Sequence, residues 1–134
     1  MIIARRPVRV VSFAAAFLLV AGLAAAQETR ETMYRQYTEG LLARTAYTAD
    51  AGGGLRVELW DLLVGPGKAT RPFKLPGAAV LEIRSGQATV AIGGKEQRVT
   101  IGTPLSADED SEIVLVNANA DIPLSIRAIV ITAR

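Results

Sequence analysis

From residue 40 onward the apolar positions come in short runs, and glycine or proline cuts nearly every one. "GLLARTAYTA", 40–49, alternates loosely and reads as a strand. "DAGGG", 50–54, turns the chain into "LRVELWDLLV", 55–64, whose β-branched and aromatic residues suit a strand. Gly65-Pro66-Gly67 ends that run, and the short "TRPFKL", 70–75, is closed by Pro76-Gly77. "AVLEIRS", 79–85, and "ATVAI", 88–92, flank Gly86, and Gly93-Gly94 has the composition of a two-residue hairpin turn into "KEQRVTI", 95–101. Gly102 and Pro104 break the pattern again, "ADEDSE", 107–112, is an acidic loop, and "IVLVN" and "PLSIRAIVIT" close the chain. About eight strands at such spacing predict an all-β barrel or sandwich.

The pattern before residue 40 is different. Arg5, Arg6 and Arg9 precede the uncharged run Val10 to Ala26, which ends in Ala24-Ala25-Ala26. A basic start, an apolar stretch and small residues at −3 and −1 make residues 1–26 a signal peptide, with Gln27 as the mature N-terminus. The expected location is the periplasm or the exterior, with no membrane attachment after processing. Residues 27–39 are polar, with Met33, Tyr34, Tyr37 and Leu41 on a helical stripe, which predicts a short N-terminal helix or an arm. The domain proper is then 40–134.

Removal of the leader changes the charge balance. The chain has 15 basic and 13 acidic residues, and three of the arginines lie in the leader, so the mature part carries twelve basic against thirteen acidic. Its slight negative charge and few aromatic residues give no footprint for nucleic acid. The chain has no cysteine and no histidine. It therefore lacks disulfides, the commonest general base and the commonest transition-metal ligand.

The turns follow a known frame. Gly67 is followed by five residues, then Phe73-Lys74-Leu75, then Ala79 and Gly86; Gly102 is followed by five residues, then Asp108-Glu109-Asp110, Ile113 and Asn117. With Gly93-Gly94 between them, these two stretches resemble the paired motifs of the cupin superfamily over roughly residues 40–132. The resemblance implies a small cupin-like β-barrel, a double-stranded β-helix or jelly roll. In that family two histidines, a glutamate and a third histidine stand at the positions of Phe73, Leu75, Ala79 and Ile113. All four are apolar here, so no metal or other cofactor is expected.

The strand pleat puts Leu81 on the same inward face as Ala79, and Leu115 and Asn117 on that of Ile113. The lumen set is then Phe73, Leu75, Ala79, Leu81, Ile113, Leu115 and Asn117. The leading expectation is a non-catalytic module that binds a small apolar or amphipathic molecule there, with Asn117 as its polar handle. The alternative from another class is a packed barrel that serves as a structural or protein-interaction module. A third is an enzyme that needs neither histidine nor metal, for which Asp61, Glu82, Arg71 and Arg127 are the charged groups to place. Trp60 has two readings, an outward aromatic at a subunit interface or a ring packed under the arm with Tyr34 and Tyr37. A homodimer is expected from the resemblance. "DEDSE", 108–112, lacks an ordered calcium-loop spacing and reads as a solvated loop.

Overall fold

The computed structural model describes residues 33–133; the signal peptide expected at 1–26 and the first part of the expected helix or arm, 27–32, lie outside that range. The barrel unit begins at Tyr34. It contains nine strands: β1 (Arg35–Thr38), β2 (Leu41–Gly52), β3 (Leu55–Val64), β4 (Ala78–Ser85), β5 (Ala88–Ile92), β6 (Lys95–Val99), β7 (Pro104–Ala107), β8 (Ile113–Asn117) and β9 (Leu124–Ala133). A six-stranded antiparallel sheet in the order β1-β2-β3-β9-β4-β7 faces a three-stranded sheet in the order β6-β5-β8.

Two elements depart from the sequence pattern. Residues 35–38 form a strand, not a turn of helix, and pair with the start of β2 through Arg35 opposite Ala43 and Gln36 opposite Leu42. A register shift between Gln36 and Thr38 gives that pairing its bulge. The helical stripe loses because β1 gains ladder hydrogen bonds and tertiary contacts that a three-turn helix at the chain's edge would forgo. β7 is the second. Pro104 reads as a breaker, yet it opens an edge strand, where a missing N–H costs no ladder bond.

Alternation builds the core. Along β4 every second residue, Ala79, Leu81 and Ile83, is buried, and the residues between are exposed. β9 does the same with Leu124, Ile126, Ala128 and Val130, and the inner faces of both sheets meet in one hydrophobic cluster. Gly93 and Gly94 both have positive φ, 57° and 82°, as a tight hairpin between β5 and β6 requires. Gly40 has φ 84°, and a Cβ there would lie 2.3 Å from the Ala69 carbonyl oxygen. Glycine at 40 therefore lets the β1–β2 corner close over the segment that enters the barrel.

Candidate functional site

The lumen residues converge. Phe73, Leu75, Ala79, Leu81, Ile113, Leu115 and Asn117 expose between 0 and 7% of their surfaces, and the six apolar ones sit in the single core cluster. A hollow lumen would leave its walls open to a water-sized sphere; these walls are covered by one another. Segment 68–73 crosses the lumen entrance as a strand-like rung against β8. Phe73 and Ile113 exchange both main-chain hydrogen bonds, at 2.9 and 2.8 Å, and the Thr70 amide donates to the Leu115 carbonyl at 2.9 Å. Three residues on one side span two on the other, and the Thr70 hydroxyl accepts the Leu115 amide at 3.0 Å, closing the gap this mismatch leaves. Thr70 is buried, and its role had no signal in the sequence beyond a hydroxyl near a proline.

Asn117 spends its polar capacity inside the barrel. Its Nδ2 donates toward the carbonyls of Val64, Gly65 and Ile122 at 3.3, 3.1 and 2.8 Å, and its Oδ1 accepts the Asn119 amide at 3.0 Å. It ties the end of β3 to the β8–β9 turn. A buried carboxamide so fully engaged is a structural clamp.

At the mouth, β1 supplies a cover. Tyr37 packs edge-to-face on Trp60, with ring centroids 5.3 Å apart, and on Phe73 at 6.1 Å. Its hydroxyl donates to the Lys74 carbonyl at 2.7 Å, and burial raises its pKa. Trp60 pairs with Ala128, which is fully buried, so the indole is on the inner face and Val57 and Leu59 are on the outer one. The half-buried residues of β3 blur this alternation in the sequence. The Trp60 Nε1–H is buried without a hydrogen-bond partner among the described residues. Tyr34 is on the other side of the sheet, its ring 4.7 Å from the Arg44 guanidinium.

No protein-family model and no curated protein matches the sequence. Solved structures do match the fold. A cupin-2 domain from Rhodospirillum rubrum is similar at a TM-score of 0.59 and 17% identity over 76% of this chain and 68% of that one. A predicted oxalate decarboxylase from Thermotoga maritima is similar at 0.59 and 16%, over 76% and 91%. KdgF from Halomonas sp. is similar at 0.57 and 14%, over 75% and 89%. The fold is the cupin barrel.

The cupin metal position can be tested against this barrel's own side chains. Phe73, Leu75, Ala79 and Ile113 present carbon to one another, and no metal binds to carbon side chains in a closed core. Among the described residues no three histidine, cysteine, aspartate or glutamate side chains gather as a ligand group. The donor set does not fit a metal ion.

The charged groups weighed for catalysis lie outside the lumen. Asp61 pairs across the outer face with Arg44 on β2 and Arg127 on β9, at 2.9 and 3.1 Å. Burial raises the Asp61 carboxyl, but hydrogen bonds and charge from Arg127 and Arg44 outweigh it, so its pKa is below the ordinary value. Arg71 pairs with Glu39 at the exposed β1–β2 corner. Arg71 and Arg127 therefore do not line one mouth. Glu82 and Arg84 are exposed on the outer side of β4. Asp61, Glu82 and Arg127 share no cavity with the lumen, so they cannot act together on a molecule inside it. The acidic loop is exposed at Asp108, Glu109 and Asp110 and turns through a Ser111 amide to Asp108 carbonyl bond of 3.1 Å. An open groove of about 370 Å³ lies beside the Gly93-Gly94 hairpin, lined by Ala91, Gly93, Gly94, Glu112 and Val114. One carboxylate among small apolar groups supplies neither a base–nucleophile pair nor an anion clamp.

Proposed function

We propose that this cupin barrel is a non-catalytic interaction module, filled at its centre and working through its outer sheet surface. The observation that carries the reading is Asn117. The polar member of the lumen set has its donors and acceptor occupied by barrel main chain, and the apolar members are buried in one core cluster. A ligand would have to displace core side chains and break those bonds. The reading extends to an exported protein, on the strength of the basic, apolar and small-residue order of residues 1–26.

The test is native mass spectrometry of the chain recovered from the export compartment. The filled-barrel reading expects polypeptide mass alone. A reproducible added mass of a few hundred daltons, the size of an ordinary small ligand, would sink it and restore the lumen as a binding site.

A further inference from the structure

The hairpin that joins β5 to β6 leaves an open trough on the outer face of the small sheet. Cross-strand partners share a face, so the ladder registers give its floor and walls. Glu96 on β6, Ala91 on β5 and Val114 on β8 form one row. Val114 alternates with the buried Ile113 and Leu115, so this row faces away from the core. Next along the ladder, Gly93 stands opposite Glu112, and its amide donates to the Glu112 carbonyl at 3.0 Å. A Cβ built on Gly93 or Gly94 would meet nothing within 4 Å, so the space over the turn is open. The trough of about 370 Å³ is at the small end of ligand-sized pockets, which begin at roughly 300 Å³. Its floor is carbon, from Ala91 and Val114, with the Glu112 carboxylate at one wall and Glu96 beside it. Neither carboxylate is in an ion pair among the described residues. Arg98 shares this face one row further from Glu112, beside Thr89 and Val116.

We infer that this trough is the docking site for a lysine or arginine side chain on an extended segment of a partner protein. The inference rests on the reading that the barrel works through its outer sheet surface, and it names the place and the partner's chemistry. Charge complementarity is the reason. Glu112 and Glu96 present two uncompensated carboxylates from two different elements. Asp108, Glu109 and Asp110 add the same sign on the approach to Glu112, a field that draws a basic segment and repels an acidic one. The shape fits the same occupant. The methylene stem of a basic side chain lies on Ala91 and Val114 while its charged head reaches the carboxylate. A bare metal ion is a poorer fit, since hard cations need several convergent oxygens and no three carboxylates gather among the described residues. A lone ion pair open to water is worth little, so a free amine would be held weakly there. A segment that brings further contacts with its basic residue escapes that limit.

The experiment is a nuclear magnetic resonance titration of the isotope-labelled chain, as it is recovered from expressing cells, with end-capped hexalysine as the probe. The amide signals of Ala91, Gly93, Gly94 and Val114 should move together and saturate, and hexaglutamate should move none of them. Glu112→Gln keeps the shape and removes the charge, and should weaken binding about fivefold, the upper range for a surface ion pair. Ala91→Phe fills the floor and should abolish saturable binding. If Ala91→Phe does not fold, Gly94→Asn carries the test, because asparagine tolerates the positive φ of 82° there and places a side chain over the trough. Glu82→Gln, on the large sheet, should leave binding unchanged. The absence of saturable shifts overturns the site, and so does binding that ignores Glu112→Gln. Shifts confined to Asp108, Glu109 and Asp110 would show diffuse attraction to the acidic loop and overturn the trough. Each of these outcomes leaves the filled barrel standing. Saturable shifts at Leu75 and Leu81, inside the lumen, would overturn the functional reading itself.

Discussion

Asp61 shows how one residue can be read correctly as a charge and misplaced as a function. Its position late in β3 made it a candidate acid, but its register with Arg44 and Arg127 makes it the centre of a three-residue ion pair on the outer face. Burial pushes its carboxyl up, but the Arg127 and Arg44 guanidiniums outweigh that and hold its pKa below the ordinary aspartate value. A depressed carboxyl stabilises the fold fully above its unfolded pKa, and that contribution is lost as pH falls through the folded value. Asp61→Asn should therefore cost about 1–3 kcal/mol at neutral pH, because two part-buried arginines lose their anion. In urea unfolding the gap between Asp61→Asn and the parent should shrink on acidification below pH ~4. A gap of constant size would refute this account. Asn117 was legible from its place in the glycine frame, as an inward polar residue. Its clamp role was not, because the Val64, Gly65 and Ile122 carbonyls come together only after folding.

At the scale of elements, several strands were plain from apolar runs and turn residues: β3, β4, β5 and β8 fall where those runs stand. β1 and β7 were not. Each is four residues long, too short for a period, and each is made by its neighbour's ladder. The β1–β2 corner depends on Gly40. Gly40→Ala puts a methyl group into the Ala69 carbonyl at a backbone angle that L-residues rarely adopt. Steric conflict and a positive φ together should cost about 2–4 kcal/mol, read as a lowered midpoint in thermal or urea unfolding. An unchanged midpoint would mean that β1 does not hold the mouth closed.

For the whole molecule the question is whether the barrel is a container or a solid. The family frame shows where the lumen walls fall, and it cannot show whether they touch, since contact depends on side-chain volumes across both sheets. Ala79 is the discriminating position: it is small, 4% exposed, and stands where a ligand would find room. In a solid barrel Ala79→Leu overpacks the core and should cost about 1–3 kcal/mol. In a hollow one the added carbons would fill space and stabilise the protein. Differential scanning calorimetry separates the two by the direction of the shift.

The seal at the mouth has an optical consequence. Trp60 is the chain's single tryptophan, and its indole N–H is buried with no acceptor among the described residues while Tyr37 packs edge-on against the ring. An indole kept from water emits toward the blue, and its emission moves red when water reaches it. The protein thus carries its own lamp at the place where β1 closes the barrel. Emission should be blue-shifted in the native state, and Tyr37→Ala should move it to the red at temperatures where circular dichroism still reports an intact β-sheet. Coincident optical and β-sheet transitions in that variant would mean that the cover and the barrel open as one.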